Sequence, residues 1–178
     1  MKALSKSRFK QGLECPNKLY FSNNEEVYHN VKNNDPFLQA LASGGFQVEE
    51  YARLQYPGGV LIEDPEDREN YDYQDLANQT SELLKQENVV IYEAAFYIDD
   101  LFIRTDVLVK KGTHIQLIEV KAKSLDPSEN YNFVGKSKKI VSSWKPYLFD
   151  LAFQTYVTQR CLPSYTITPY LCLVDKTK

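Results

Sequence analysis

The chain has 178 residues and a formal net charge of −3, with 43% hydrophobic and 25% charged side chains, the balance of an ordinary globular protein. That length suits one domain able to bury a substantial core. No apolar run reaches the roughly 18 residues that a spanning helix needs, and the charged start Met1-Lys2-Ala3-Leu4-Ser5-Lys6 lacks the apolar stretch of a signal peptide. Three cysteines, Cys15, Cys161 and Cys172, argue against a disulfide scaffold and for a reducing cytoplasm. Charge is unevenly spread. Residues 1–21 hold five Lys or Arg against one acid, 22–100 four against seventeen, and 101–178 twelve against six. The last excess can attract phosphate backbones, or simply keep Lys-rich loops soluble.

Taken in order, Ser5 is placed to cap a short helix that ends near Gly12, and a second short helix carries Asn17 to Phe21. Residues 22–36 read as a polar loop. From Pro36 to Tyr56, Phe37, Leu38, Leu41, Val48, Tyr51, Ala52 and Leu54 fall mostly at helical spacing. Gly44-Gly45 interrupts them, which leaves one kinked helix or two. Pro57-Gly58-Gly59 ends that segment, Val60-Leu61-Ile62 is a short strand, and residues 63–73 are an acidic loop. Asp75 to Gln86 is amphipathic, with Leu76, Leu83 and Leu84 inward. Strands follow at Val89–Phe96, Leu101–Val109 and 114–122, forming a meander. Residues 125–146 are a polar, Lys-rich excursion. A helix from Tyr147 to Arg160 is expected to bury Leu148, Leu151, Ala152, Tyr156 and Val157, and Tyr165 to Val174 is a last strand. A helical crossover before that strand predicts parallel pairing.

The informative stretch is Ile103 to Ser124. Gly112-Thr113 suits a two-residue type II′ turn, with Gly at the first central position. That register sets Lys111 opposite His114, Val109 opposite Gln116, and Asp106 opposite Glu119. Opposed residues on one face have Cβ atoms roughly 4.5–5.5 Å apart, so the two carboxylates repel each other. Lys121 shares their face because strand side chains alternate. A divalent cation would relieve the repulsion. A Lys121 salt bridge on a solvated strand face is the other reading, but the run Leu117-Ile118 and Val120 suggests a central strand where ionised groups need a partner.

Asp106 followed by Glu119-Val120-Lys121, behind a helix and inside a meander, resembles the Asp…Glu-x-Lys motif of the PD-(D/E)XK nuclease superfamily. Leu4-Ser5-Lys6-Ser7 and Cys15-Pro16-Asn17-Lys18-Leu19-Tyr20 resemble the opening of RecB-like and CRISPR-adaptation nucleases. Tyr56-Pro57-Gly58-Gly59-Val60-Leu61-Ile62, Tyr92-Glu93-Ala94-Ala95-Phe96 and Asp150-Leu151-Ala152-Phe153-Gln154-Thr155-Tyr156-Val157 are similar to the N-terminal nuclease-like domain of an uncharacterised bacterial family. The resemblance implies an α/β fold with a restriction-endonuclease-like mixed sheet flanked by helices. It also implies one domain over 1–178 that forms the N-terminal part of a longer protein, with a C-terminal domain or protein partner beyond it.

By the same resemblance, Asp106 and Glu119 bind Mg²⁺ or Mn²⁺ with the Val120 carbonyl as a third oxygen, and Lys121 assists the attacking water and the phosphate. Glu93 matches an acidic position of RecB-like relatives, or is a strand-end carboxylate in solvent. Glu49, after Gly45-Phe46-Gln47-Val48, stands where relatives carry a metal-binding His, or is a solvated helix residue. Gln154 matches the Gln of Gln-x-x-x-Tyr, whose Tyr position is Thr158 here, with Tyr156 two residues earlier. Some relatives hold an iron–sulfur cluster, which needs four thiolates. Three cysteines argue against one, and leave Cys15 as a packed thiol. The implied activity is metal-dependent hydrolysis of DNA. Lys110, Lys111, Lys123, Lys136, Lys138 and Lys139, joined by Lys6, Arg8 and Lys10, would contact its backbone. Tyr131, Phe133 and Trp144 either stack on bases or pack internally. The alternatives are a non-cleaving nucleic-acid-binding or assembly module on the same fold, and a regulatory domain for a region beyond residue 178.

Overall fold

The structure is a computed structural model that describes residues 3–24, 26–28, 35–64, 72–128 and 133–177. An antiparallel meander lies at its centre: β3 (Asn88–Ile98), β4 (Leu101–Lys111) and β5 (His114–Leu125). Both turns follow from their residues. Gly112 takes φ 56° while Thr113 does not turn left-handed, as a type II′ hairpin requires. Asp99 and Asp100 both adopt positive φ, 47° and 59°, the type I′ pattern that short polar side chains tolerate.

Parallel strands extend the sheet at both edges. β2 (Val60–Leu61) pairs with β3, and β6 (Thr166–Asp175) pairs with β5, in the order β2-β3-β4-β5-β6. A further two-residue strand, β1 (Leu4–Ser5), pairs in parallel with Leu101 and Phe102 of β4. On that edge β4 pairs with β5 only from Val107 to Lys111. The two central strands therefore fork, and β1 takes the place of β5 beside the outer end of β4. Sequence pattern did not signal β1, because two residues carry no periodicity.

Helices cover both faces of this open mixed sheet. α1 (Lys6–Glu14) starts directly after β1, capped by Ser5, whose hydroxyl accepts from the Arg8 N–H, and α2 (Pro16–Asn23) follows with Pro at its first turn. α3 (Pro36–Arg53) is one helix that runs through Gly44-Gly45; the side chains of Leu38 and Leu41 lie outside the described residues. α4 (Tyr73–Leu83) begins two residues earlier than its apolar pattern indicates, because Asp72 caps the N–H groups of Gln74 and Asp75. α5 (Lys145–Cys161) closes the α layer after a 3-10 turn at Ser142–Trp144.

One sheet face packs Ile91, Leu108 and Ile115 against Leu76 and Leu84 from the α4 region and Phe153 and Val157 of α5. Phe9 of α1 stacks on Phe153 with ring centroids 4.4 Å apart. The other face packs Val107, Val109, Ile118 and Val120 against Ala52 of α3, with Val48 and Tyr56 at its margin. The alternation of 107/109 with 108, and of 118/120 with 115, is the period-2 pattern of a sheet buried on both sides. Gly59 is needed where the chain enters β2. A Cβ there would lie 2.3 Å from the Tyr92 ring, whose hydroxyl bonds back to the Tyr56 carbonyl.

The α5 expectation needs correction. Leu151 and Val157 are buried as expected, but Ala152 and Tyr156 are exposed. The buried face carries Asp150, Gln154 and Thr158 beside Leu151, Phe153 and Val157. An apolar-periodicity reading rotates the helix when half of its buried stripe is polar.

Candidate functional site in the fork of the sheet

The fork places the acidic pair. The β4–β5 ladder ends at Val107↔Ile118, one step short of Asp106 and Glu119. In place of a backbone partner, the Asp106 Oδ2 accepts the Val120 N–H at 2.6 Å. On the other side of β4, pairing with β3 skips the level of Asp106 and Glu93, between Tyr92↔Val107 and Ala94↔Thr105. Glu93 there has φ 56°, a left-handed conformation rare for a non-Gly residue and rarer inside a strand. Three carboxylates thus share one row across β3, β4 and β5, where the ladder opens on both sides.

Asp106 is 6% exposed and Glu119 fully buried, so the pair belongs to a central strand and not to a solvated face. Buried carboxylates require partners, and α1, β5 and α5 supply them. Lys6 Nζ lies 3.5 Å from Asp106 Oδ1 and 3.3 and 3.2 Å from the two Glu119 oxygens. Lys121 Nζ bonds Glu119 and stands 3.5 Å from Asp150 Oδ2, where Lys10 also reaches at 3.5 Å. Gln154 Nε2 donates to Glu119 Oε2 at 2.6 Å. The result is three ammonium groups interleaved with three carboxylates, on α1, β4, β5 and α5.

Electrostatics follow from that arrangement. Burial pushes the Asp106 carboxyl up, and Glu119 adds to it against the pull of Lys6, Lys121 and the Val120 N–H, to about 7. Burial would also raise Glu119, but Lys6, Lys121 and the Gln154 amide hold it below the usual carboxylate range. Burial and Glu119 raise Asp150. Burial disfavours the charged Lys6, yet its three carboxylates outweigh that and raise its pKa.

A cleft of about 500 Å³ opens beside the pair, lined by Lys6, Glu49, Arg53, Glu93, Arg104 and Asp106 among others. Glu49 is half-buried there, and burial and Glu93 raise its pKa while Lys6 and Lys121 oppose the shift. Glu93 accepts from Arg53 at 2.9 Å and lies 3.5 Å from the Arg104 Nε, so it is a paired wall of the cleft and not a free strand-end carboxylate. Thr158, at the expected Tyr position, is buried, and Tyr156 points out to solvent beside Arg160.

The expected backbone-contacting lysines separate. Lys110 is a correction. It is 5% exposed, donates to the carbonyls of Gln86 and Glu87, and lies over the Tyr165 ring, which leaves no ammonium for a phosphate. Lys111 is exposed but stands at the hairpin turn, about 17 Å along β4 from Asp106 at roughly 3.3 Å per residue. Lys123 lies 4.8 Å over Trp144 and 5.6 Å over Tyr147. Lys136, Lys138 and Lys139 are exposed. Trp144 is buried and packs, Phe133 is exposed at its edge, and Tyr131 lies outside the described residues.

Sequence reasoning missed Asp150 altogether and placed Lys6 and Lys10 only as outer contacts. Asp150 had a usable signal, since it sits four residues before Gln154 and shares its helix face. Lys6 had none, because its reach depends on β1 docking beside β4. Among the described residues no three His, Cys, Asp or Glu side chains are grouped to hold a metal ion. As donors, however, Asp106 and Glu119 are hard oxygen ligands that already converge on one cation, the Lys6 ammonium, and this chemistry fits Mg²⁺ or Mn²⁺. None of the family descriptions, curated proteins or solved structures compared with the chain matches it. No helix among the described residues is long and apolar enough to cross a membrane.

Proposed function

We propose that the chain is a metal-dependent nuclease of the PD-(D/E)XK type, with a restriction-endonuclease-like sheet, that hydrolyses phosphodiester bonds of DNA. The observation that carries this reading is the convergence of Asp106 and Glu119, with Lys121 on the same face, at a fork in the sheet beside an open cleft. Placing two mutually repulsive carboxylates in a buried row is costly for a scaffold, and clusters of shifted ionisable groups in a cleft are the pattern of a working site. Asp106 and Glu119 would hold the ion, with Glu49 and the Val120 carbonyl as further oxygens. A bound divalent cation supplies a Lewis acid for the phosphoryl oxygen and lowers the pKa of a coordinated water.

The chain's own groups have distinct tasks in that scheme. The Val120 N–H fixes the rotamer of Asp106 and the Gln154 amide fixes that of Glu119, so both carboxylates are aimed before substrate arrives. Lys121 orients the attacking water and offsets charge that builds on the phosphate. The exposed Lys136, Lys138 and Lys139 provide contacts along the backbone that carry no sequence information.

One observation favours a second reading. Lys6, Lys10 and Lys121 pair with Asp106, Glu119 and Asp150, three basic groups against three acids that meet one another's needs without a metal. A module that binds nucleic acid without cutting would keep such a cluster for its fold alone. Labelled single-stranded and duplex DNA incubated with Mg²⁺, Mn²⁺ or EDTA separates the two. The nuclease reading expects metal-dependent cutting that Glu119→Ala and Lys121→Ala each abolish. DNA binding without cutting under any metal supports the second reading.

A further inference from the structure

We propose that Lys6 is the chain's own occupant of the cation position between Asp106 and Glu119, and that metal loading is an exchange in which its ammonium is expelled into the adjoining cleft. This rests on the metal-dependent reading above and adds to it a residue on which ion affinity depends.

Geometry singles out Lys6 from the three lysines of the cluster. It alone touches both candidate ligands, whereas Lys121 bonds Glu119 and Asp150, and Lys10 reaches only Asp150. Its contacts of 3.2 to 3.5 Å are long beside the roughly 2.7–2.9 Å of a strong ammonium–carboxylate bond. The ammonium is shared loosely among three oxygens and not locked onto one. A divalent cation held by Asp106 and Glu119 would compete with the Lys6 ammonium for the same oxygens.

Charge favours the exchange. A dication added to three ammonium groups and three carboxylates would leave excess positive charge there, even with Glu49 included. Lys10 is 43% exposed and reaches only Asp150, so its departure would not clear the candidate ligand oxygens. Lys121 is fixed to β5 next to Glu119, but Lys6 opens α1 and already lines the cleft, so a rotamer change carries it there without moving the sheet. Among the described residues Asp150 Oδ1 is buried without a hydrogen-bond partner, an acceptor open to a donor of the cluster.

Mn²⁺ titration by calorimetry on the full chain tests the exchange. Removing the internal competitor in Lys6→Met is expected to tighten Mn²⁺ binding at least tenfold over wild type, and Asp106→Asn to abolish it in either background. Wild-type binding with no gain in Lys6→Met overturns the exchange and leaves the metal site standing. No Mn²⁺ binding to either protein overturns both. Should Lys6→Met fail to fold, the wild type answers by amine acetylation read through peptide mass spectrometry. Mn²⁺ is expected to raise Lys6 labelling several-fold while Lys111 labelling stays level, and unchanged or lower Lys6 labelling overturns the exchange.

Discussion

At the scale of single residues, the strand-borne charges of the site are legible in sequence and their helix-borne partners are not. Asp106, Glu119 and Lys121 are visible in sequence because a hairpin with a two-residue turn fixes who faces whom. The identity of their counter-charges depends on helices far away in the chain. This has a measurable consequence. Lys6 and Asp106 are in contact inside a partly buried network, so their substitutions should not add. Asp106→Asn and Lys6→Met are each expected to destabilise, and the double variant to lose less than the sum by roughly 0.5–3 kcal/mol, read from urea unfolding of all four proteins. Gln154→Ala should cost roughly 1–3 kcal/mol, since it removes the amide that satisfies a fully buried carboxylate oxygen. Lys110 belongs with these residues, as a buried ammonium that satisfies the carbonyls at the end of α4. Its truncation should lower stability and leave nucleic-acid affinity unchanged.

Elements show where pattern reading succeeds and where it does not. β3, β4 and β5 are legible because period-2 alternation and turn chemistry are local. The helix from Pro36 is legible in extent, and its continuity through Gly44-Gly45 reflects a glycine cost of only about 1 kcal/mol each. For α5 the pattern locates the helix but rotates it. Its buried face is half polar because it covers the charged fork, and a hydrophobicity criterion cannot see a face that is buried to make hydrogen bonds. Two substitutions discriminate between the orientations. Phe153→Ala, which removes a buried ring stacked on Phe9, is expected to cost roughly 3–5 kcal/mol, whereas Tyr156→Ala should fall within about 0.5 kcal/mol of wild type in thermal unfolding. At the entrance to β2, Gly59→Ala drives a Cβ into the Tyr92 ring and should lose roughly 1–3 kcal/mol.

On the scale of the whole molecule, charge asymmetry and site geometry predict ligand behaviour. Mn²⁺ at a hundred times its dissociation constant should stabilise the folded chain by about 2.7 kcal/mol, an increment that Asp106→Ala removes and EDTA reverses, read as a shift of the unfolding midpoint. Replacing Lys136, Lys138 and Lys139 by Ala should weaken DNA binding and flatten its salt dependence, the log–log slope falling by about 0.9 for each phosphate that is no longer neutralised. Equal slopes for wild type and variant would remove that excursion from the DNA path.

The sequence by itself determined the hairpin, its turn, and the level at which Asp106 and Glu119 meet. These depend only on the strand period and on glycine's access to positive φ. It also determined that the two carboxylates sit among aliphatic neighbours and would need a cation. Which cation lies there was decided by tertiary structure alone. β5 leaves β4 at the acidic pair, β1 docks into the gap from a hundred residues away in sequence, and Lys6 follows it into the fork. Asp150 and Gln154 reach the same point because α5 lies across the sheet with its polar side down. Contacts between segments so distant leave no local periodicity, and only packing brings their charges together.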